Sequence, residues 1–424
     1  MFLFSHGRCA GRTWFLATSY PRRFHSITWI CVAYRCIRPG FDGSCMLIER
    51  IGCRLSRKLV IHIGAQKCAS SSLQASLRLY QQSAQGSMEF VFMNPGQLRA
   101  VDRSLAAKAA VDWTYLDRVL AATGSDQVVV SHEMLGNRPV LVRAIAERSL
   151  QNHGFQKVVV VGYTRLQSSY HISAFGQWYF RDRKRLRADR QIFVENDLPW
   201  ELFSALERSL FALVLAGKDR AWWGNYRKLR AQVAAIDGDV SIVSNHIPTR
   251  QKPYSLLSNF FDLVGFQTSL EDLSSCDVRK NASFDPVLVH ALSVHFSSIG
   301  QRESCFPGPH EGNRWLFRVC DRLDADSDLT DQMEAVFSPD FSQRMVEQIN
   351  RRCAEDNHRY CRRMNVDPAY FRSDPNDDTA LSIDQLLDLA HTTASQRNIA
   401  DVDAINRRSE MLLMRAARLE IIST

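Results

Sequence analysis

Short apolar runs separated by mixed segments dominate the first part of the chain. "KLVIHIG" (58–64), "QVVVSHE" (127–133) and "KVVVVGYTR" (157–165) are rich in Val and Ile, and none of them alternates strictly between apolar and polar positions. Strands that are buried on both faces of a parallel sheet have this pattern. A weaker run, "DVSIVS" (239–244), predicts a fourth strand.

Helical patterns lie between these runs, and the chain turns mostly helical after residue 245. An apolar stripe at three- and four-residue spacing marks the segment 253–266. Strand followed by helix, repeated, predicts an α/β fold: a three-layer α/β/α sandwich with a central, mainly parallel sheet and a helical C-terminal region. The other predicted helices are 71–82, 139–152, 167–181 and 218–236.

The pattern divides the chain into a basic N-terminal extension (1–57), a main domain (58–365) and a helical C-terminal tail (366–424). A polar segment, "DPNDDT" (374–379), interrupts the helical pattern near the start of the tail. The apolar stripe of the tail predicts either a homo-oligomer contact or a helix packed on its own domain, and the second outcome is the more common. The stripe consists of Val402, Ile405, Leu412, Ala416 and Leu419.

The net charge of +8 sits in the first 58 residues, which contain ten basic and only two acidic residues. The remaining chain has 43 of each sign, so the sequence gives no reason to expect a nucleic-acid partner. No run of 18 apolar residues predicts a transmembrane segment. The extension is rich in Arg and poor in acidic residues, as transit peptides are. Alternatively, the natural protein starts at Met46.

The eleven cysteines form no C-x-x-C pair, and five of them fall in the basic extension. Neither a zinc site nor a disulfide framework is indicated, and no other metal site is expected. Reduced thiols are typical of a cytoplasmic protein, which is the expected location.

The segment "LVIHIGAQKCASSSLQASL" (59–77) runs from a strand through a loop of small residues into a helix. Such a turn binds anions, because loop N–H groups and the helix dipole point at the ligand. The ATP-type loop is G-x-x-x-x-G-K-[ST]. If Gly64 is its first glycine, Ala69 replaces the second glycine and Ser70 replaces the lysine, which appears instead as Lys67. A metal-nucleotide interpretation therefore loses its main residue.

The arrangement H-I-G-x-x-K-x-[AG]-[ST]-[ST]-[ST]-L-Q resembles the 5′-phosphosulfate loop of sulfotransferases that use 3′-phosphoadenosine 5′-phosphosulfate. The resemblance implies a P-loop NTPase-like fold, this donor and no metal. It assigns Lys67 to the bridging oxygen, where charge builds as the sulfuryl group leaves, and one ammonium is sufficient because a sulfuryl group carries less charge than a phosphoryl group. Ala69 departs from the commoner glycine, which tolerates positive φ better. The implied donor-binding residues of the loop are Gly64, Lys67, Cys68, Ala69, Ser70, Ser71 and Ser72.

A second motif of the same family is a strand-end arginine with a serine eight residues later, and Arg165 and Ser173 have this spacing. Together they are implied to hold the 3′-phosphate, because arginine offers a bidentate fork and the helix presents the hydroxyl. Gln167, Phe175 and Gln177 fit the family pattern too. A weaker element, "VRKNASF" (278–284), either closes over the nucleotide or is a solvated loop. Its candidates are Arg279, Lys280, Asn281 and Ser283.

Sulfuryl transfer to a hydroxyl also needs a base, and the second strand ends in His132 and Glu133. The carboxyl edge of an open α/β sheet is where ligands bind, so Glu133 is the favoured base and His132 the second candidate. Alternatively, this carboxylate only pairs with a neighbouring cation. The basic run "RDRKRLRADR" (181–190) is either a solvated face or a surface that steers an anionic acceptor such as an acidic glycan.

These features predict a metal-independent sulfotransferase that uses 3′-phosphoadenosine 5′-phosphosulfate and a hydroxyl-bearing carbohydrate or small molecule. Two alternatives stay open from the residues alone. One is a nucleotide kinase or ATPase of the same sheet architecture, which needs the missing lysine. The other is a non-catalytic nucleotide-binding scaffold.

Overall fold

The computed structural model divides the chain into two compact units, Met1–Cys53 and Arg54–Thr424. Two short antiparallel strands, β1 (His6–Cys9) and β2 (Arg12–Phe15), pair within the first unit. The division of the main domain from a tail at residue 365 stays a prediction. The described residues are 6–9, 12–15, 57–83, 88–179, 183–217, 221–247, 256–266, 273, 275–278, 286–298, 327–337, 339–371 and 380–422.

The described part of the second unit contains a five-stranded sheet in the order β4-β5-β3-β6-β7, with every neighbouring pair parallel. All four predicted strands are present, and the α/β prediction is confirmed. The fifth strand was missed because it has only four residues and lies at the edge of the sheet. The strands are β3 (Lys58–His62), β4 (Glu89–Phe92), β5 (Gln127–Ser131), β6 (Lys157–Thr164) and β7 (Asp239–His246).

The three central strands start in line, because Lys58 lies opposite both Gln127 and Lys157. Their middle positions are fully or almost fully buried, which explains why these runs do not alternate between apolar and polar residues. The outer strand β7 and its neighbour β6 extend further and end together, with Thr164 opposite His246. At the carboxyl edge of the sheet, β6 and β7 therefore extend beyond the end of β3.

The described residues form fifteen α-helices. Helix α2 was not predicted, although Asn94 caps it by accepting the amide hydrogens of Gly96 and Gln97. The helices are α1 (Ser70–Ser83), α2 (Pro95–Ala106), α3 (Thr114–Ala121), α4 (Pro139–Asn152), α5 (Gln167–Trp178), α6 (Arg183–Glu195), α7 (Ala205–Ala216), α8 (Trp222–Val233), α9 (Leu256–Val264), α10 (Pro286–Ser298), α11 (Ser327–Val336), α12 (Pro339–Arg352), α13 (Ala354–Met364), α14 (Ile383–Ser395) and α15 (Ile399–Ile422). Short 3₁₀ helices cover Glu133–Asn137, Trp200–Leu202 and Pro368–Tyr370.

Three smaller apolar cores lie outside the sheet core: two join later helices to α5, α6 and α7, and the third joins α11 to α15. The side chains of Ala416 and Leu419, in the predicted stripe of α15, lie outside the described residues. Val402 and Ile405 of the same stripe are buried against Leu329 and Phe337. These positions pack on their own chain, so they give no support to an oligomer contact. Within the described ranges, no helix has the length and apolar character needed to cross a membrane.

A buried ion pair fastens the C-terminal helices to α7. Arg397 donates to both carboxylate oxygens of Glu207, at 2.5 and 3.0 Å, and to the carbonyl oxygen of Leu202 at 2.6 Å. Glu207 also closes the capping box of α7 with Ser204. Both charged side chains are almost completely buried. The loss of either one therefore leaves the other without its ion-pair partner in the interior.

We expect Arg397→Leu to lower the free energy of unfolding by about 3 to 5 kcal/mol, because Glu207 loses the partner of its buried ion pair. The matched control is Arg359→Leu, which breaks an exposed pair with Glu355 and should cost less than about 1 kcal/mol. Urea denaturation measures both. Equal losses in the two variants would contradict the interpretation of a structural buried pair.

Candidate functional site

The loop between β3 and α1 is held in place by backbone hydrogen bonds to its neighbours. Ile63 donates to the carbonyl oxygen of Val161 at 2.9 Å, and Tyr163 donates to that of Gly64 at 2.9 Å. On the other side, Gly136 donates to the carbonyl oxygen of Ile63 at 2.9 Å. The strand ladder therefore continues two residues into the loop.

Three loop residues have left-handed backbone conformations: Gly64 (φ 81°), Lys67 (φ 62°) and Ala69 (φ 59°). Ala69 adopts the conformation that its Cβ disfavours, at a cost of roughly 1 to 3 kcal/mol. Left-handed residues among right-handed ones turn successive N–H groups into a concavity that binds anions. The loop thus has the backbone shape of an anion site without the usual second glycine.

The predicted small residues of the loop divide into buried and accessible ones. Cys68 and Ser70 are buried, and the Ser70 hydroxyl donates to the carbonyl oxygen of Ala65 at 3.0 Å. The Cys68 amide donates to the same carbonyl oxygen at 3.2 Å, so both residues hold the loop in its own conformation. Ser71 and Ser72, in the first turn of α1, are half-buried.

The two sequence motifs meet at the carboxyl edge of the sheet. Arg165, the residue after β6, donates from Nη1 to the carbonyl oxygen of Lys67 at 3.3 Å, across 98 positions of sequence. The indole of Trp222 donates to the carbonyl oxygen of Arg165 at 2.8 Å and fixes the backbone there. Ser173 is half-buried in the second turn of α5, the helix that begins two residues after Arg165.

Glu133 lies beside this loop. A Cβ on Gly64 would come within 3.2 Å of the Cα of Glu133, so the two backbones are in contact. Burial raises the pKa of the Glu133 carboxyl, and the nearby ammonium of Lys67 lowers it in part. A lysine and a carboxylate with a raised pKa therefore share the edge to which Arg165 also reaches.

His132 is less suited to be the base. Its Nδ1 accepts the amide hydrogen of Met134 at 3.1 Å and caps the 3₁₀ helix. Burial lowers the pKa of His132, and Arg99 lowers it further, so the ring stays neutral. A neutral ring with Nδ1 accepting carries its hydrogen on Nε2, which leaves no lone pair for a substrate proton. Of the two predicted bases, the geometry favours Glu133.

A buried polar group underlies the loop and is structural. His62 Nδ1 lies 2.7 Å from the hydroxyl of Ser131, to which Gln74 also donates at 3.0 Å. Burial lowers the pKa of His62 to about 3, so this histidine is neutral at physiological pH. The group joins β3, β5 and α1 directly below the site.

Helix α13 supports the site, and local sequence patterns did not reveal it. The side-chain amides of Asn357 and Gln167 donate hydrogen bonds to each other, at 3.0 and 2.5 Å. The Thr164 hydroxyl donates to the Tyr360 hydroxyl at 3.3 Å. Asp356 accepts the amide hydrogens of the first residues of α8. Gln167, which fits the family pattern, is therefore engaged with Asn357. These contacts span up to 196 residues, beyond the reach of any short motif.

The remaining predicted elements contribute little to the described site. Arg279, Lys280, Asn281 and Ser283 lie outside the described residues. In the basic run, Arg185 donates to the hydroxyl of Ser209 at 3.1 Å and lies over the ring of Tyr179. Arg190 lies 3.7 Å from Glu201. These two arginines contact their own helical region rather than the loop.

Among the described residues, no cluster of three His, Cys, Asp or Glu side chains is arranged to hold a metal ion. Comparisons with protein-family models, with curated proteins and with solved structures find no match to this chain.

A small pocket lies between the loop and α8, and Gly162 lies close to Gly64 and Tyr226 of its lining. A Cβ on Gly162 would lie 2.5 Å from the Tyr226 hydroxyl and 2.9 Å from the carbonyl oxygen of Gly64. Only glycine therefore allows the loop to approach β6 this closely. The pocket is lined by Ile63, Gly64, Ala65, Gly136, Tyr163, Trp222, Asn225, Tyr226 and Leu229.

We expect Gly162→Ala to lower the free energy of unfolding by about 1 to 3 kcal/mol, because the added methyl overpacks the space under the loop. The control is Gly124→Ala, whose Cβ would meet nothing within 4 Å, with an expected change within about 0.5 kcal/mol. Urea denaturation of both variants measures the difference. A Gly162→Ala protein as stable as the control would show that the loop moves freely away from β6.

Proposed function

We propose that the chain is a sulfotransferase that moves the sulfuryl group of 3′-phosphoadenosine 5′-phosphosulfate to a hydroxyl of a carbohydrate or small molecule. The observation that carries the proposal is the hydrogen bond from Arg165 to the carbonyl oxygen of Lys67, at the sheet edge that Glu133 shares. A three-layer, P-loop-like arrangement of the sheet and helices is part of the same proposal.

The loop fits the anionic part of this donor. Its left-handed residues and the start of α1 direct N–H groups at a phosphate, and Ser71 and Ser72 supply hydroxyls there. Arg165 and Ser173 would hold the 3′-phosphate. The donor supplies an activated sulfuryl group, and Lys67 and Arg165 supply positive charge from two separate elements.

The proposed chemistry assigns one role to each charged residue beside the loop. Lys67 stabilises the charge that develops on the leaving oxygen, as a preorganised cation does in a partly dry site. Glu133 accepts the proton of the acceptor hydroxyl while that oxygen bonds to sulfur. Its raised pKa suits this work, because a base is most effective when its pKa approaches the working pH.

Donor binding is tested by thermal shift with adenosine 3′,5′-bisphosphate. At about 100 times its Kd this product should stabilise the protein by about 2.7 kcal/mol, and magnesium-ATP should stabilise it much less. Arg165→Met should weaken the bisphosphate about 10- to 100-fold, because a charged hydrogen-bond donor to phosphate is lost. Arg118→Met, an exposed change in the last turn of α3, is the control. Preferential stabilisation by magnesium-ATP would instead favour a kinase or ATPase.

Catalysis is tested by the pH profile of transfer to a panel of hydroxyl acceptors. Glu133→Gln should lower kcat by about 10²- to 10⁴-fold and leave bisphosphate affinity in place. Because the base acts only when deprotonated, kcat/KM should fall as the pH drops through the pKa of Glu133. In Lys67→Ala, the fall of the residual kcat/KM on the acidic side should occur at a higher pH, because the cation that lowers the pKa of Glu133 is gone.

A scaffold would show a different result. It would bind the bisphosphate, transfer no sulfate to any acceptor in the panel, and respond to none of the Glu133 substitutions. An acidic limb that does not move in Lys67→Ala would show that Glu133 is not the group that titrates.

A further inference from the structure

An exposed aromatic side chain stands beside the proposed base. Phe92 is the last residue of the edge strand β4, lies opposite Ser131 in the sheet register, and is 40% exposed. Its ring centre lies 5.4 Å from that of His132, the residue before Glu133, with the planes tilted by 37°. Ligands of open α/β sheets bind at this carboxyl edge, so the exposed ring lies where a ligand could contact it.

Two cations from different helices lie near this pair of rings, Arg78 near Phe92 and Arg99 near His132. The guanidinium carbon of Arg78, on α1, lies 5.5 Å from the centre of the Phe92 ring. Arg99, on α2, is exposed and close enough to His132 to lower its pKa. The carboxylate of α2 nearest in sequence, Asp102, lies 3.1 Å from Arg138 and is partly neutralised by it. The surface is therefore aromatic and positively charged.

His132 adds a directed hydrogen-bond donor. Because its Nδ1 accepts the Met134 amide, the neutral ring carries a hydrogen on Nε2 and can only donate from that atom. A ligand on this surface is thus met by an apolar ring face, a neutral N–H donor and two guanidinium groups.

We propose that Phe92, His132, Arg78 and Arg99 form the acceptor subsite, and that its ligand is an acidic sugar with a ring carboxylate, as in a uronic acid residue. The inference rests on the proposed function for its chemistry. The apolar C–H face of a pyranose packs on Phe92, and the carboxylate pairs with a guanidinium fork. The sugar then lies next to Glu133 with its hydroxyls near the proposed base. In this proposal the surface that attracts an anionic acceptor is the one around Phe92, instead of the run 181–190.

The test compares two acceptors with identical ring hydroxyls, 4-nitrophenyl β-D-glucuronide and its methyl ester. For the unchanged protein, kcat/KM should be about fivefold higher for the glucuronide, the range of a partly exposed ion pair. Arg78→Met and Arg99→Met should each bring this ratio towards one without changing the Kd of the bisphosphate. Phe92→Ala should lower kcat/KM for both acceptors about fivefold, and Phe92→Tyr should restore it. Arg118→Met is again the control.

The outcomes separate the two proposals. A ratio near one in the unchanged protein, or a ratio that survives in both arginine variants, overturns the acidic-sugar subsite while donor binding stands. If the bisphosphate does not bind and no transfer occurs, the proposed function fails. The subsite is then judged by calorimetric Kd values of the same two glycosides, with the same expected ratio and the same variants.

Discussion

The site depends on the way the backbone after β3 is held between two neighbouring strands. Hydrogen bonds from Ile63 to β6, from Tyr163 to Gly64 and from Gly136 to Ile63 extend the parallel ladder past the last strand residue. They fix where the loop begins, and α1 fixes where it ends. The left-handed conformations of Lys67 and Ala69 persist because both ends are determined. Without that constraint these two residues would relax to the right-handed or extended conformations that their Cβ atoms favour.

Electrostatics give the same edge its chemical asymmetry. Glu133 is buried enough for its pKa to rise, yet it lies close to the Lys67 ammonium, so its charge is tuned by two opposing effects. His132, one residue earlier, is neutral, and its lone pair is used by the backbone of Met134. Adjacent titratable residues thus have different capacities: one can accept a proton and the other can only donate a hydrogen bond. The hydrogen-bonding of a single imidazole nitrogen separates these roles.

The sequence was informative where the physical signal is local. Buried Val- and Ile-rich runs predicted β3, β5 and β6, and the small-residue loop predicted a ligand site, since both patterns are complete within ten residues. The strand β4 carries too few residues for a pattern. Nothing in the sequence distinguishes its terminal Phe92 from other aromatic residues. Its contact with His132 is evident only in the structure. The support from α13 joins residues about 190 positions apart, which no spacing rule detects in one sequence.

Charge placement explains how a nearly neutral body can gather cations at one edge of its sheet. Residues 59–424 have equal numbers of basic and acidic side chains, so net charge predicts no attraction for an anionic ligand. The described structure nevertheless brings Lys67 and Arg165 to one sheet edge, with Arg78 near Phe92 and Arg99 near His132. Several acidic groups are neutralised elsewhere, Asp117 by Arg148 and Glu207 by Arg397. Local potential depends on which charges are left uncompensated near a cleft, and low-dielectric walls strengthen it there. The fold therefore gathers cations around Glu133 at this edge with no excess of basic residues in residues 59–424.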